Sequence, residues 1–124
     1  MKKNYLLLLV AVFLVFVYSC SNDNGFKKDV EGISQSMCRN IDVMNKLKAA
    51  NPADSGTIKK LQADAYKVQG EMTVLYKEFE AKYKDKMKDD KFNKNFAREL
   101  RKSMLNCSSL SKQQRDDFEK ELSN

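Results

Sequence analysis

Histidine and tryptophan are absent from this 124-residue chain, proline occurs once and glycine four times. Without histidine the commonest general base and the commonest metal ligand are gone, and Ser-His-Asp and Cys-His catalysis are excluded with them. Carboxylates, lysines and tyrosines could still do chemistry. Glu78, Glu80, Asp85, Asp89 and Asp90, however, are interleaved with lysines and mark no acid/base pair. The three cysteines form no Cys-x-x-Cys, so a redox-active pair is not expected; Cys38 and Cys107 with nearby methionines would suit only soft Cu(I). The expectation is a protein that is not an enzyme, with no metal, no other cofactor and no small-molecule substrate. So few turn-forming residues also argue against an all-β fold of many short strands.

What is present is charge and apolar periodicity. Lys and Arg number 23 against 17 Asp and Glu, a net +6. That balance aids solubility and gives weak attraction to anionic surfaces. It falls well short of a nucleic-acid-binding signature, so no nucleic acid partner is expected.

The chain opens with Lys2 and Lys3, runs apolar from Tyr5 to Ser19, and then meets Cys20. As a helix that run of about 15 residues spans roughly 23 Å, short of the ~30 Å hydrocarbon core of a bilayer. A basic start, a short apolar stretch and a small residue at the junction are the parts of a secretory signal peptide. Val17-Tyr18-Ser19-Cys20 resembles the bacterial lipoprotein box, which has an aliphatic residue three before the cysteine and a small residue just before it. Tyr18 is bulkier than the residue usual at its place. The resemblance covers only the opening of the chain. It implies that diacylglycerol is joined to the Cys20 thiol, that the Ser19–Cys20 bond is cut, and that the new amine receives an N-acyl lipid. Several acyl chains at roughly 0.8 kcal/mol per buried methylene hold a protein on a membrane without a spanning helix. Enteric lipoproteins kept at the inner membrane carry aspartate where this chain has Ser21, so the resemblance implies the outer membrane of a bacterial cell envelope. An uncleaved anchor helix and a soluble secreted protein are the alternatives.

On this reading residues 1–19 are signal peptide, 20–25 a lipidated tether, and 26–124 one helical domain. Cleavage leaves 105 of the 124 residues, with 21 of the 23 basic groups and all 17 acidic ones, enough for one small core. The tether, Cys-Ser-Asn-Asp-Asn-Gly, is polar and turn-prone, and Asp23 or Asn24 can cap a helix beginning just after it. Phe26, Val30, Ile33, Met37, Ile41, Met44 and Leu47 step alternately by four and three, which predicts a helix from about Phe26 to Ala50. Asn51-Pro52 and Gly56 break it, with Asn51 a candidate cap.

A second helix, about Thr57 to Lys88, carries Ile58, Leu61, Ala65, Val68, Met72, Leu75 and Phe79, and in its lower half a second stripe of Met72, Tyr76, Phe79, Tyr83 and Met87. Two stripes predict that this helix is the central one, and Gly70 would let another backbone approach it. Asp89-Asp90 can cap a third helix, roughly Lys91 to Asn106, with Phe92, Phe96, Leu100 and Met104 inward. No Gly or Pro separates it from the second, so one bent rod is the alternative. Ser111-Lys112-Gln113-Gln114 has capping-box spacing and opens a short last helix with Phe118 and Leu122. The fold class is all-α, an antiparallel helical hairpin or a three- to four-helix bundle.

Once Cys20 is acylated, Cys38 and Cys107 remain, an even number in an oxidising compartment. In an antiparallel arrangement they fall roughly 18 and 24 Å below the first turn, within one or two helical turns of each other. A disulfide between them would close a loop of about 70 residues and contribute up to about 4 kcal/mol. The alternative is two buried thiols acting as small hydrophobes.

Between Lys82 and Lys102 stand nine Lys or Arg and four Asp or Glu. Lys84, Lys88, Lys91, Arg98 and Lys102 recur at helical spacing and would share one face if the second and third helices were continuous. Such a face could contact anionic headgroups, an acidic polysaccharide or an acidic protein; the alternative is a solvated surface with local pairs such as Lys82 with Asp85. Tyr66, Tyr76 and Tyr83 could join a binding face or flank the core with wet hydroxyls. The expected function is a lipid-anchored cell-envelope protein acting as a non-catalytic binding or accessory module. Its partners would be the membrane, through the anchor, and an envelope protein or anionic glycan. An inhibitor or immunity-type lipoprotein that blocks a secreted hydrolase or toxin is one alternative, and a structural spacer another.

Overall fold

The computed structural model describes the backbone from Lys3 to Asn124 and the side chains from Asn24 onward. The described residues form four α-helices and no strand: α1 (Lys3–Ala49), α2 (Ser55–Tyr83), α3 (Asp90–Met104) and α4 (Lys112–Ser123), with a 3-10 turn at Lys86–Lys88. This is an all-α bundle. From Asn24 onward, where side chains are described, no helix is long and apolar enough to cross a membrane. The expected signal peptide and the expected lipid on Cys20 fall on side chains outside those described.

The predicted start of the first helix at Phe26 is not a boundary, since α1 is helical through residues 20–25. Asn, Asp and Gly each cost a helix no more than about 1 kcal/mol against alanine, and no proline stands there to stop propagation. At the other end Asn51 does not cap α2. Its Oδ1 accepts the Ala53 N–H at 3.0 Å and closes the turn. The cap is Asp54, which accepts the Thr57 N–H at 3.0 Å and the Thr57 hydroxyl at 2.7 Å.

The central helix is α1, not α2, because three stripes of α1 point in three directions. Asp29 and Arg39 reach α2, pairing with Lys82 at 2.6 Å and Glu71 at 3.0 Å. Ser34, Cys38, Asp42 and Asn45 reach α3 and the loop behind it, meeting Ser103, Cys107 and Ser109. Between these stripes lie Phe26, Val30 and Ile33, all buried, with Met37 and Ile41 packed on the core. Only the lower end of the second α2 stripe is covered. Phe79 and Tyr83 are buried, while Tyr76 stays 41% exposed.

Helices α2 and α3 are separate, so the bent rod is excluded. Lys84 still has helical dihedrals, but Asp89 is extended (φ −94°, ψ 122°). Asp89 accepts the Lys91 N–H at 3.0 Å, as its position before α3 predicts, and Asn93 donates to the Met87 carbonyl at 2.9 Å. Among the described residues none has positive φ. The break therefore requires no glycine, which is why the sequence carries no punctuation there. Gly70 does not serve a close approach either, since a Cβ there would meet nothing within 4 Å.

Five rings hold the lower bundle. Phe79 lies 4.6 Å from Phe96, and Phe26 lies 5.6 Å from Tyr83 and 5.4 Å from Phe92. Burying each large side chain contributes about 1.5–3 kcal/mol, and each aromatic pair about 0.5–1.5 more. A second cluster, Met104, Cys107 and Leu110, sits against Cys38, Ile41 and Phe118. Ser111 and Gln114 form the predicted capping box of α4. Arg115 then donates to the Leu105 carbonyl at 2.6 Å and the Cys107 carbonyl at 3.0 Å, and Arg101 pairs with Glu121, so α4 folds back along α3. Every buried apolar residue described lies between Phe26 and Leu110.

Candidate functional site

Because α2 and α3 meet through Phe79 and Tyr83 against Phe92 and Phe96, a groove opens above the Phe79–Phe96 pair. Ile33 and Met37 of α1 form its floor, Met72 and Tyr76 of α2 one wall, Phe96 and Leu100 of α3 the other. Thr73, Lys77 and Glu80 form the polar rim, and the space is about 460 Å³. The period-3.6 patterns that build the core also build this groove. Met72 and Tyr76 continue the α2 stripe one turn beyond the point where α3 can cover it. Methionine and tyrosine suit adaptable apolar contact, since one is flexible and the other presents a ring with a wet hydroxyl. Such a surface can hold apolar side chains.

Of the sites expected from sequence, the thiol of Cys20 lies outside the described side chains. Cys38 and Cys107 are bonded, with Cα atoms 5.6 Å apart. The five basic residues do not lie on one continuous helix, because the chain breaks at Asp89, between Lys88 and Lys91. Lys84, Lys88 and Lys91 gather at the α2–α3 turn, where, among the described residues, Lys88 has only Asp85 at 3.9 Å. Arg98 and Lys102 stand higher on α3, each tied to Glu99, at 3.7 and 3.3 Å. Lys82 does not pair with Asp85 but with Asp29 on α1.

Tyr83 donates to the same Asp29 oxygen at 2.9 Å, so its hydroxyl is not wet. Burial pushes the Tyr83 phenol above its ordinary value, and the Asp29 carboxylate adds to the shift. The hydrogen bond to Asp29 likewise raises the Lys82 ammonium. Tyr66 is 77% exposed and touches no core. Among the described residues no three Cys, Asp or Glu side chains cluster closely enough to hold a metal ion.

Sequence reasoning does not find the polar stripe Ser34–Cys38–Asp42–Asn45. Its spacing of four, four and three is legible, but serine, aspartate and asparagine at such spacing look like a solvated face. No protein-family model, curated protein or solved structure matches the chain.

Proposed function

We propose that this chain is a lipid-anchored protein of the bacterial cell envelope, acting as a non-catalytic binding module through the groove between α2 and α3. Two features support the anchor: the order Lys2-Lys3, apolar run, Val17-Tyr18-Ser19-Cys20, and a disulfide in the domain beyond it. Disulfides persist in oxidising compartments and are rare in the cytosol, so the bonded pair fits an exported chain. The binding role rests on one observation, the groove of Ile33, Met37, Met72, Tyr76, Phe96 and Leu100. Its apolar lining favours a segment of an envelope protein over an anionic glycan. Confinement to a surface raises effective concentration, so modest contacts suffice there.

Mass spectrometry of the native product tests the anchor. The expected species begins at Cys20 and carries diacylglycerol and an N-acyl chain; an intact Met1 or a bare Cys20 thiol sinks it. A photocrosslinker replacing Tyr76 tests the groove in intact cells, with one replacing exposed Tyr66 as control. One partner captured from position 76 and not from 66, and weakened by Cys20→Ala, is the expected result. Identical capture from both positions removes the groove from the account.

A further inference from the structure

The end of the bundle that leads to Cys20 is also its basic end. Phe26 is six residues after Cys20, so the two are within about 20 Å however the chain between them runs. Phe26 packs on Tyr83 and Phe92, which flank the α2–α3 turn, and the first turn of the described α1 side chains meets the last turn of α2 at Asp29–Lys82. Segments 24–30 and 82–94 therefore form one end of the molecule, holding eight lysines and four aspartates. The rest of the chain after Asn24 has 13 basic and 12 acidic residues. Almost all the excess positive charge of the domain is at that end.

The basic groups there are all lysines, and Lys84, Lys86, Lys88, Lys91 and Lys94 are exposed. Lys84, Lys86, Lys91 and Lys94 have no carboxylate partner among the described residues. The four arginines, by contrast, are spent on fixed contacts elsewhere: Arg39 with Glu71, Arg98 with Asn95, Arg101 with Glu121, and Arg115 with two carbonyls. Flexible, strongly hydrated point charges suit a diffuse layer of headgroups rather than a shaped anionic pocket.

We infer that this lysine-rich end docks on the anionic headgroups of the leaflet that holds the anchor, setting the bundle upright with the α1–α2 turn farthest from the membrane. The inference rests on the lipid-anchor reading for its choice of surface, since the anchor brings that leaflet within reach. An acyl anchor plus a basic patch is a two-signal attachment. Each lysine near an anionic surface strengthens attachment roughly fivefold.

The test uses the full chain purified from its bacterium and reconstituted on phosphatidylcholine vesicles with or without phosphatidylglycerol. Amine acylation is read by mass spectrometry, and Lys59 and Lys60, about 35 Å up α2 from Lys84, serve as internal controls. Acylation of Lys84, Lys86, Lys88 and Lys91 is expected to fall several-fold on phosphatidylglycerol relative to the controls and to recover in high salt. In a chain carrying Lys84→Gln, Lys86→Gln and Lys88→Gln, protection at Lys91 is lost. Equal acylation on both vesicles, with the protein still attached to both, overturns the docking and leaves the anchor standing. A protein that washes off neutral vesicles lacks the anchor; salt-sensitive binding to phosphatidylglycerol alone then still supports the docking, and binding to neither overturns it.

Discussion

Tyr83 donates its hydroxyl to Asp29 at 2.9 Å, joining α2 to α1 across 54 residues of sequence. The folded phenol is held above its ordinary value by burial and by the carboxylate, and Lys82 is raised through the same Asp29. Above about pH 10 the unfolded chain therefore loses protons that the folded chain keeps, and stability falls with rising pH. Below that pH both contributions are complete. Tyr83→Phe is expected to lower stability by about 1 kcal/mol at neutral pH and to flatten the alkaline decline. Thermal melts between about pH 8 and 11 check this; equal alkaline slopes in the two proteins would contradict it.

The Cys38–Cys107 bond closes a loop across 69 positions of separation. Cys38→Ser or reduction is expected to cost about 2–4 kcal/mol by the chain-entropy account. Urea unfolding with and without reductant measures it, and the effect of reductant should vanish in the Cys38→Ser chain.

Phe79 is 3% exposed and plugs the lower bundle, whereas Tyr76, one turn away, is 41% exposed. Phe79→Ala should cost about 3–5 kcal/mol. Tyr76→Ala should change stability by about 0.5 kcal/mol or less while abolishing capture by a photocrosslinker placed instead at Glu80 on the groove rim. Comparable losses of stability from both substitutions would show that the groove wall is part of the core instead.

Ser36 is wholly buried on the stripe of α1 that faces α2, and its hydroxyl has no hydrogen-bond partner. A buried hydroxyl without a partner costs about 1–3 kcal/mol, and alanine is the better helix former. Ser36→Ala is therefore expected to raise the unfolding midpoint in urea. A lower midpoint would mean that the hydroxyl has a partner after all.

At Gly70 a methyl group would enter open space. Gly70→Ala should stabilise α2 by about 1 kcal/mol, visible as a rise in melting temperature with unchanged circular dichroism at room temperature. A fall in melting temperature would mean that the backbone at Gly70 is needed as it is.

Much of the bundle is legible in the chain because helices advertise themselves by period. The α1 seam from Phe26 to Ile41, the Ser111 capping box, the Asp89 cap and the reach of Cys38 to Cys107 all come from spacing and from the rise per residue, whereas Met44, also expected inward, is 39% exposed. The central helix is not legible, because a wide apolar face on α2 can be covered by a neighbour or left as a groove, and residue types do not distinguish the two. The α2–α3 break is ambiguous in sequence because its turn uses ordinary dihedrals. The Ser34–Ser103 hydrogen bond across α1 and α3 is hidden because a polar side chain looks the same whether its partner is water or another helix.

Local interactions determine the helices of this protein: the three-and-four spacing of Phe26 to Leu47, the caps, and the lone Asn-Pro break act over a few residues, so linear order is enough to specify them. Which helix lies in the middle, where the groove opens and where the lysines collect depend on side chains more than 50 positions apart, such as Phe26 with Phe79 and Asp29 with Lys82. Those meetings arise from the packing of whole faces, which no local pattern encodes.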